Sequence, residues 1–359
     1  MHDLALYRKY RPKSFKEVLG QDHIIKVLES SMKANKVSHS YLFVGTRGTG
    51  KTSVARIFAA NIGVSANDLY EIDAASNRGI EDIKLLREGA RVLPFDSKYK
   101  VYIVDEAHML SKDAWGALLK ILEEPPKHVI FILATTEFHK VPETIISRCQ
   151  VFTFKKASNF LCKKMLVEVA KSEGFELETE TAELLAILAD GSFRDGLGEL
   201  QKILNFSNKG KKDKKIRRED AEEITGAPKT VLVNDFISAI AEKNLEKGIG
   251  AVKIATEENL DMKLYLKLII EKFRVAIILR YAPKLFNNPS TTLGAGMTRD
   301  LGETDLKFLQ ELVAKDKVGL IRSPALAVLL EAYQNMDNAF IAELPLEMAL
   351  VKIISKEKE

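Results

Sequence analysis

Short apolar runs alternate with amphipathic stretches between residues 40 and 154 of the chain. Runs of this length, without regular polar interruption, are typical of strands that are buried on both faces of a sheet. They lie at residues 41–44, 69–73, 101–104, 129–134 and 151–154. Because helix-like stretches separate them, the pattern predicts an α/β domain with a five-stranded, mainly parallel sheet that helices cover on both faces.

After residue 158 the pattern changes to the period of amphipathic helices. Three such stretches predict a small helical domain, at residues 160–173, 180–190 and 194–206. Six more predict an all-helical final domain, at residues 231–242, 245–256, 262–281, 304–315, 324–337 and 345–356. A loop is expected at residues 287–302. The pattern therefore divides the chain into domains at residues 1–157, 158–226 and 227–359.

Composition excludes several classes of protein. The 359 residues include 54 basic and 50 acidic ones, a balance too even to indicate nucleic-acid binding by itself. No apolar run approaches the roughly 18 residues that cross a bilayer, and the N-terminus lacks a signal-peptide pattern, so we expect a soluble cytoplasmic protein. The only cysteines, Cys149 and Cys162, are too few for a disulfide framework or a four-cysteine zinc site.

A glycine-rich octet connects the first predicted strand to a predicted helix, with the spacing of a phosphate-binding P-loop. Glycines let backbone N–H groups converge on phosphate oxygens, and the helix that begins at Lys51 adds its positive end. We expect Lys51 to contact the β- and γ-phosphates and the Thr52 hydroxyl to bind magnesium. The residues expected to bind nucleotide here are Gly45, Thr46, Arg47, Gly48, Thr49, Gly50, Lys51, Thr52 and Ser53.

Polar side chains follow two of the predicted strands. Asp105 and Glu106 end the third strand, and Thr135 and Thr136 end the fourth. Ligands bind at the carboxyl ends of strands in such sheets, so we expect the aspartate to complete magnesium coordination and the glutamate to polarise an attacking water. One of the threonines is a candidate sensor of the γ-phosphate. Acids and threonines also occur at strand ends for structural reasons alone.

Two segments outside the strands carry weaker signals. Pro12 blocks a helix across its own position, so residues 7–11 are predicted to be extended, either as a surface arm or as a wrap around the nucleotide base. Ser76 or Asn77 is expected to cap the next helix. The N-terminus of that helix could bind a phosphate, although ordinary capping is the simpler interpretation.

Several motifs of this chain occur together in one family. They are Tyr7-Arg8-Lys9-Tyr10-Arg11-Pro12, Val18-Leu19-Gly20-Gln21, the P-loop, Asp105-Glu106-Ala107-His108, Leu133-Ala134-Thr135-Thr136, Ser147-Arg148-Cys149 and Gly191-Ser192-Phe193-Arg194-Asp195. With them the chain resembles the AAA+ clamp loaders, most closely the γ/τ subunits of bacterial DNA polymerase III. The motifs extend to about residue 200, and the helical remainder matches in layout and length.

The resemblance implies an AAA+ P-loop domain followed by a helical lid and a helical collar that holds subunits together. It implies that four residues surround the adenine, namely Tyr7, Arg11, Val18 and Leu19. Thr136 looks like sensor 1, and Arg194 looks like sensor 2, which reaches the γ-phosphate of its own subunit. Arg148 looks like an arginine finger that acts on ATP bound by a neighbouring subunit. The implied catalytic set is Glu106, Lys51, Arg148, Thr136 and Arg194, and the implied metal ligands are Thr52 and Asp105.

Two departures from the family pattern change what we expect. Relatives usually carry four zinc-binding cysteines between the P-loop helix and the second strand, whereas residues 61–69 contain none. We therefore expect ATP and Mg²⁺ as cofactors and no zinc. The long C-terminal extension of τ is also missing, which fits either a γ-like form or a shortened τ.

The function that the resemblance implies is an ATP-dependent motor that loads a sliding clamp onto primed DNA. The implied partners are δ-like and δ′-like subunits, further γ copies, the clamp, and primed DNA bound without sequence specificity; no membrane is implied. Two alternatives stay open: a branch-migration motor, or a non-hydrolysing structural subunit such as δ′. The Ser147-Arg148-Cys149 motif disfavours the first, and the P-loop with Asp105 and Glu106 disfavours the second.

Overall fold

The computed structural model describes residues 4–207, 214–287 and 302–355. Contacts between residues divide the chain into two units. The first comprises Met1–Lys164 and Ala189–Gly198, and the second comprises Met165–Leu188 and Glu199–Glu359. The division into domains at residues 1–157, 158–226 and 227–359 stays a prediction.

A five-stranded parallel sheet forms the centre of the first unit. Its strands are β1 (Ser40–Val44), β2 (Leu69–Asp73), β3 (Lys100–Asp105), β4 (Val129–Thr135) and β5 (Gln150–Thr153). They are arranged in the order β2-β3-β4-β1-β5. The register pairs Val44 with Thr135 and Asp73 with Asp105, so the carboxyl ends of neighbouring strands meet at one edge. The predicted α/β class and the five-stranded parallel sheet are confirmed.

Six helices lie wholly within the first unit. They are α1 (Leu6–Lys9), α2 (Asp22–Lys33), α3 (Lys51–Asn61), α4 (Ile80–Arg91), α5 (Lys112–Glu123) and α6 (Glu143–Ile146). Alternate strand residues face opposite layers of these helices, as the pleat requires. Phe43 packs in one core with Phe58 of α3, and Leu42 packs in the other core with Trp115 of α5.

Helices make up most of the remaining chain. They are α7 (Asn159–Ser172), α8 (Thr179–Ala189), α9 (Phe193–Ser207), α10 (Arg218–Thr225), α11 (Thr230–Ala241), α12 (Leu245–Glu257), α13 (Met262–Tyr281), α14 (Lys284–Asn287), α15 (Glu303–Lys315), α16 (Ser323–Asn335) and α17 (Leu344–Ser355). Asp261 caps the longest of them by accepting hydrogen bonds from the N–H groups of Lys263 and Leu264. The all-helical character predicted for residues 227–359 holds for the described part of that range.

Two local expectations were wrong or incomplete. Residues 7–11 are not extended throughout, because the short helix α1 ends at Lys9, before Pro12 restricts its neighbour. Neither Ser76 nor Asn77 caps α4: the Asp73 carboxylate accepts hydrogen bonds from Ala75 N and Ser76 Oγ, which keeps that segment in a turn. The N-cap of α4 is Gly79 instead.

A two-stranded parallel ladder in the second unit was not predicted. It joins β6 (Glu176–Leu177) to β7 (Lys215–Ile216), and strands of two residues leave no readable pattern in a sequence. The loop expected at residues 287–302 lies almost entirely outside the described residues. In the described ranges, every helix is too short or too polar to span a bilayer.

Candidate functional site

Two positions in the loop between β1 and α3 show why glycine is needed there. Gly50 adopts φ +99° at the N-cap of α3, a conformation that other residues rarely adopt. Gly48 adopts φ +73°, and a Cβ atom there would lie 1.9 Å from the Ser192 hydroxyl oxygen. Phe193 N also donates a hydrogen bond to the Gly48 carbonyl at 3.2 Å. The start of α9 therefore lies directly against the P-loop.

Lys51 occupies the first position of α3 and is only 5% exposed. Its ammonium donates to the carbonyl oxygens of Gly45 at 2.7 Å and Thr46 at 3.0 Å. Burial lowers the pKa of Lys51, and the nearby carboxylates of Glu106 and Asp105 partly oppose that shift. Among the residues that the structure describes, none forms an ion pair with this ammonium. A lysine held by loop carbonyls can transfer to phosphate oxygens without breaking an ion pair.

A chain of hydrogen bonds joins the ends of β3 and β4 to the start of α3. Thr52 Oγ1 donates to Asp105 Oδ2 at 2.8 Å, and Glu106 N donates to Asp105 Oδ1 at 3.0 Å. Thr136 Oγ1 donates to Glu106 Oε2 at 3.0 Å. The structure thus brings together three separate segments of the sequence, which carry Lys51 and Thr52, Asp105 and Glu106, and Thr136.

The oxygen atoms of Thr52 and Asp105 are suited to Mg²⁺, which prefers a few protein oxygens together with phosphates and water. Over the described ranges, there is no group of three or more His, Cys, Asp and Glu side chains that could hold a metal ion by themselves. A magnesium ion held by Thr52 and Asp105 would take its remaining ligands from phosphate oxygens and water. That donor set fits magnesium nucleotide.

Several positive charges converge near Lys51. Arg11 Nε donates to Ser53 Oγ at 3.0 Å, and the pKa of Arg11 is lowered by burial and by the positive charges of Arg56 and Arg194. The charge of Arg194 also lowers the pKa of Lys51. An anion bound here would stabilise the charged forms of Arg11 and Lys51, whose pKa values are lowered. The cluster therefore suits a polyphosphate.

The residues expected around adenine lie in different environments. Tyr7 is 36% exposed on α1, and the Arg194 guanidinium lies 5.9 Å from the centre of its ring. Val18 is buried in the core on the α3 side of the sheet, and Leu19 is half-buried. Their contact with adenine stays a prediction.

The side chain of Arg47 leaves the P-loop. It forms a two-pronged ion pair with Asp195, with Nη2 at 2.7 Å from Oδ1 and Nε at 3.3 Å from Oδ2. Burial raises the pKa of Asp195, but the hydrogen bonds from Arg47 and Ser192 outweigh it and lower that pKa overall. The Arg47 side chain thus ties the P-loop to α9, and contact between Arg47 and nucleotide stays a prediction.

Arg148 follows α6 and is 36% exposed in its side chain. Its guanidinium donates to Glu123 Oε1 at 2.9 Å and to the Thr144 carbonyl at 2.8 Å. Neither partner belongs to the P-loop. The Arg148 guanidinium is therefore accessible from outside its own P-loop site. That it acts on ATP bound by another subunit stays a prediction.

Two polar side chains of the site, Gln21 and His108, are buried and had no role predicted from the sequence. Gln21 is 1% exposed and exchanges hydrogen bonds with the backbone of Lys155, at 2.9 Å to O and 3.2 Å from N. His108 lies between Glu106 and Glu137. Both belong to motifs that carried the resemblance, but their contacts are with residues remote in sequence.

Sequence comparisons point to one family of relatives. The family model described as DNA polymerase III, delta subunit, matches residues 20–72 and 63–158. The chain is 39% identical to DNA polymerase III subunit tau of Bacillus subtilis over 302 residues, covering 78% of this chain and 53% of the relative. It is 31% identical to subunit tau of Escherichia coli over 321 residues, covering 84% of this chain and 49% of the relative.

The chain is a homologue of the bacterial DNA polymerase III γ/τ subunits. A further relative, subunit gamma/tau of Mycoplasma pneumoniae, is 47% identical over 223 residues, which cover 56% of this chain and 33% of that one. The chain spans about half the length of the γ/τ relatives from B. subtilis and E. coli. The expected resemblance is therefore confirmed.

Solved structures support the fold. The Thermotoga maritima RuvB Holliday junction branch migration motor matches with a TM-score of 0.52 at 22% identity, over 66% of this chain and 80% of that one. A single-residue variant of the same RuvB matches with a TM-score of 0.52 at 18% identity, over 73% of this chain and 91% of that one. At such low identity the likeness concerns the AAA+ fold and not the activity.

Proposed function

We propose that this chain is the ATP-hydrolysing motor subunit of a clamp loader, which opens a sliding clamp and places it on primed DNA. The observation that carries the proposal is the contact chain from Thr52 through Asp105 and Glu106 to Thr136, beside the buried Lys51. The names of the γ/τ relatives support a role in the DNA polymerase III assembly.

The side chains of one subunit would divide the work of ATP hydrolysis. Lys51 would exchange the carbonyls of Gly45 and Thr46 for phosphate oxygens. Magnesium held near Thr52 and Asp105 would neutralise phosphate charge. Glu106 would accept a proton as a water oxygen bonds to the γ-phosphorus, while the bond from that phosphorus to the β–γ bridging oxygen breaks and leaves ADP and phosphate.

A second subunit would complete the site. Arg148 would leave its exposed contacts with Glu123 and Thr144 and stabilise the transition state on ATP bound by a neighbour. A guanidinium supplied by a neighbour typically raises the rate by roughly 10³ to 10⁵. The assembly would include δ-like and δ′-like subunits and further γ copies, held together through the helical collar.

The proposed DNA contact is independent of base sequence. The turn before α4 carries Arg78, whose Nε now donates to the Ala75 carbonyl at 2.8 Å. We infer that the guanidinium can also reach a DNA phosphate, as backbone-tracking proteins require. Such binding would weaken steeply as salt increases.

The test is the ATPase activity of the assembled complex, measured with and without clamp and primed DNA. We expect clamp and primed DNA to stimulate turnover, and Glu106→Gln to abolish turnover while Mg²⁺-ATP still binds. A chain that shows no magnesium-dependent ATP affinity would be a structural subunit instead. Stimulation by Holliday junctions rather than by clamp and primed DNA would favour the branch-migration alternative.

A further inference from the structure

We propose that His108 is a positioning residue that holds the carboxylate of Glu106 for hydrolysis. The proposal rests on the proposed function, because it assigns a partner to the base of that reaction. It adds to the site a residue that would touch neither nucleotide nor metal.

The imidazole of His108 lies between two carboxylates and is only 7% exposed. Its Nδ1 lies 3.4 Å from Glu106 Oε2 and 3.1 Å from the Thr135 hydroxyl oxygen. Its Nε2 lies 3.3 Å from Glu137 Oε1. The ring donates to both carboxylates only when each nitrogen carries a hydrogen, as in the imidazolium form.

Glu137, the partner of His108 Nε2, is itself held in place by other contacts. Glu137 forms an ion pair with Lys140 at 2.8 Å, and its backbone N–H donates to the Thr135 hydroxyl at 3.0 Å. The hydrogen bond from Lys140 lowers the pKa of Glu137, so Glu137 is an acceptor for the Nε2–H of His108. That bond orients Nδ1, so that the hydrogen on Nδ1 is directed at Thr135 and Glu106.

Two side chains approach the carboxylate of Glu106, whose backbone is itself unusual. The residue adopts φ +48° and ψ +43°, an uncommon left-handed conformation for a glutamate. Thr136 and His108 both approach the same oxygen, Oε2. Over the residues that the structure describes, Oε1 accepts no hydrogen bond, which leaves it for the proton of an attacking water.

Three substitutions of His108 separate positioning from packing. In His108→Asn the amide nitrogen takes the place of Nδ1, in His108→Gln it takes the place of Nε2, and in His108→Ala both groups are lost. In the assembled complex with clamp and primed DNA, we expect the Ala and Gln variants to lose kcat about tenfold or more. KM and the melting temperature should change little, and Asn should retain most of the kcat.

A double variant tests whether His108 acts through Glu106. If it does, His108→Ala should cost nothing further in a Glu106→Gln chain, when residual single-turnover rates are compared. An undiminished kcat in His108→Ala, equal losses in all three variants, or full additivity with Glu106→Gln would overturn the proposal while leaving the function intact. Absence of turnover in the unmodified complex would overturn the function and this inference together.

Discussion

Two lysines of this protein are buried to a similar extent in different regions, and their partners differ in kind. Lys51, in the P-loop, is 5% exposed, and Lys272, on α13, is 8% exposed. Burial lowers the pKa of both ammonium groups. Lys51 donates to the backbone carbonyls of a loop, whereas Lys272 donates to Asp305 at 2.7 Å and to Asn234 at 2.8 Å.

The partners of Lys272 are themselves enclosed. Asp305 is 5% exposed, and Arg218 approaches it from α10, with Nη1 at 3.8 Å from Oδ2. An exchange of partners there would leave a carboxylate buried without its cation, which is costly. Burial of a lysine therefore does not by itself identify a site.

The largest effect that we expect is on ligand binding by Lys51→Ala. Loss of the ammonium should weaken Mg²⁺-ATP binding roughly hundredfold, because the phosphates lose a charge-assisted partner in a buried site. The melting temperature should stay nearly constant, since loop carbonyls can turn to water. Titration with a fluorescent ATP analogue and a thermal melt measure the two quantities. A large loss of stability with normal ATP affinity would reverse the roles that we assign to the two lysines.

The matched change at the other lysine should affect folding instead. Lys272→Met leaves Asp305 with only the longer contact to Arg218 and should lower the free energy of unfolding by about 3 to 5 kcal/mol, with unchanged ATP affinity. Urea denaturation of the full chain measures this change. Adding Asp305→Asn should recover part of the loss, because the orphaned charge is removed. No recovery would mean that packing, and not charge, accounts for the defect.

Asp68 is a third buried charge that can be compared with the two lysines, and the effect on stability that we expect from its substitution is smaller. Asp68 has backbone partners, as Lys51 has, and accepts hydrogen bonds from the N–H groups of Phe95, Asp96 and Ser97. Although burial raises the pKa of Asp68, these bonds lower it to about 2. The three N–H groups belong to consecutive residues of one turn, which Asp68 holds in place. We therefore assign Asp68 a structural role, although its partners are backbone groups as those of Lys51 are.

The sign of the pH dependence follows from that lowered pKa. A carboxyl whose pKa is depressed by folding stabilises the fold above its unfolded value and loses that contribution as the pH falls. Asp68→Asn should therefore be about 2 kcal/mol less stable than the unmodified chain at pH 7. The difference should shrink between about pH 4 and pH 2 in urea titrations. A difference that stays constant over this window would show that the Asp68 charge is not involved.

The sequence predicted the elements that depend on local pattern. The five strands are continuous apolar runs, and their parallel arrangement places strand ends such as Asp105 and Thr136 at one edge. Helix α10 went unpredicted because Arg218–Thr225 is strongly polar. Asp220 near its start, which accepts from Arg217 N, and the left-handed Gly226 at its end were the available signals.

The site was less predictable where contacts depend on the register of strands. The motif placed Lys51 beside two acids, but it did not indicate that His108 meets Glu137, because β3 and β4 bring those residues together across the sheet edge. The sequence also did not indicate that the Arg47 side chain points away from the P-loop, because its partner Asp195 lies on α9. Both contacts required the tertiary fold.

The shared site between subunits is the central claim, and a mixing experiment tests it most directly. Lys51→Ala chains lack the phosphate lysine, and Arg148→Ala chains lack the proposed finger, so each alone should assemble into complexes with very little ATPase activity. Assembled together with the partner subunits, clamp and primed DNA, the two variants should regain a substantial part of the unmodified rate. Recovery is expected because some interfaces then pair an intact Lys51 with an intact Arg148. A mixture no more active than its components, or full activity of Arg148→Ala alone, would contradict the account.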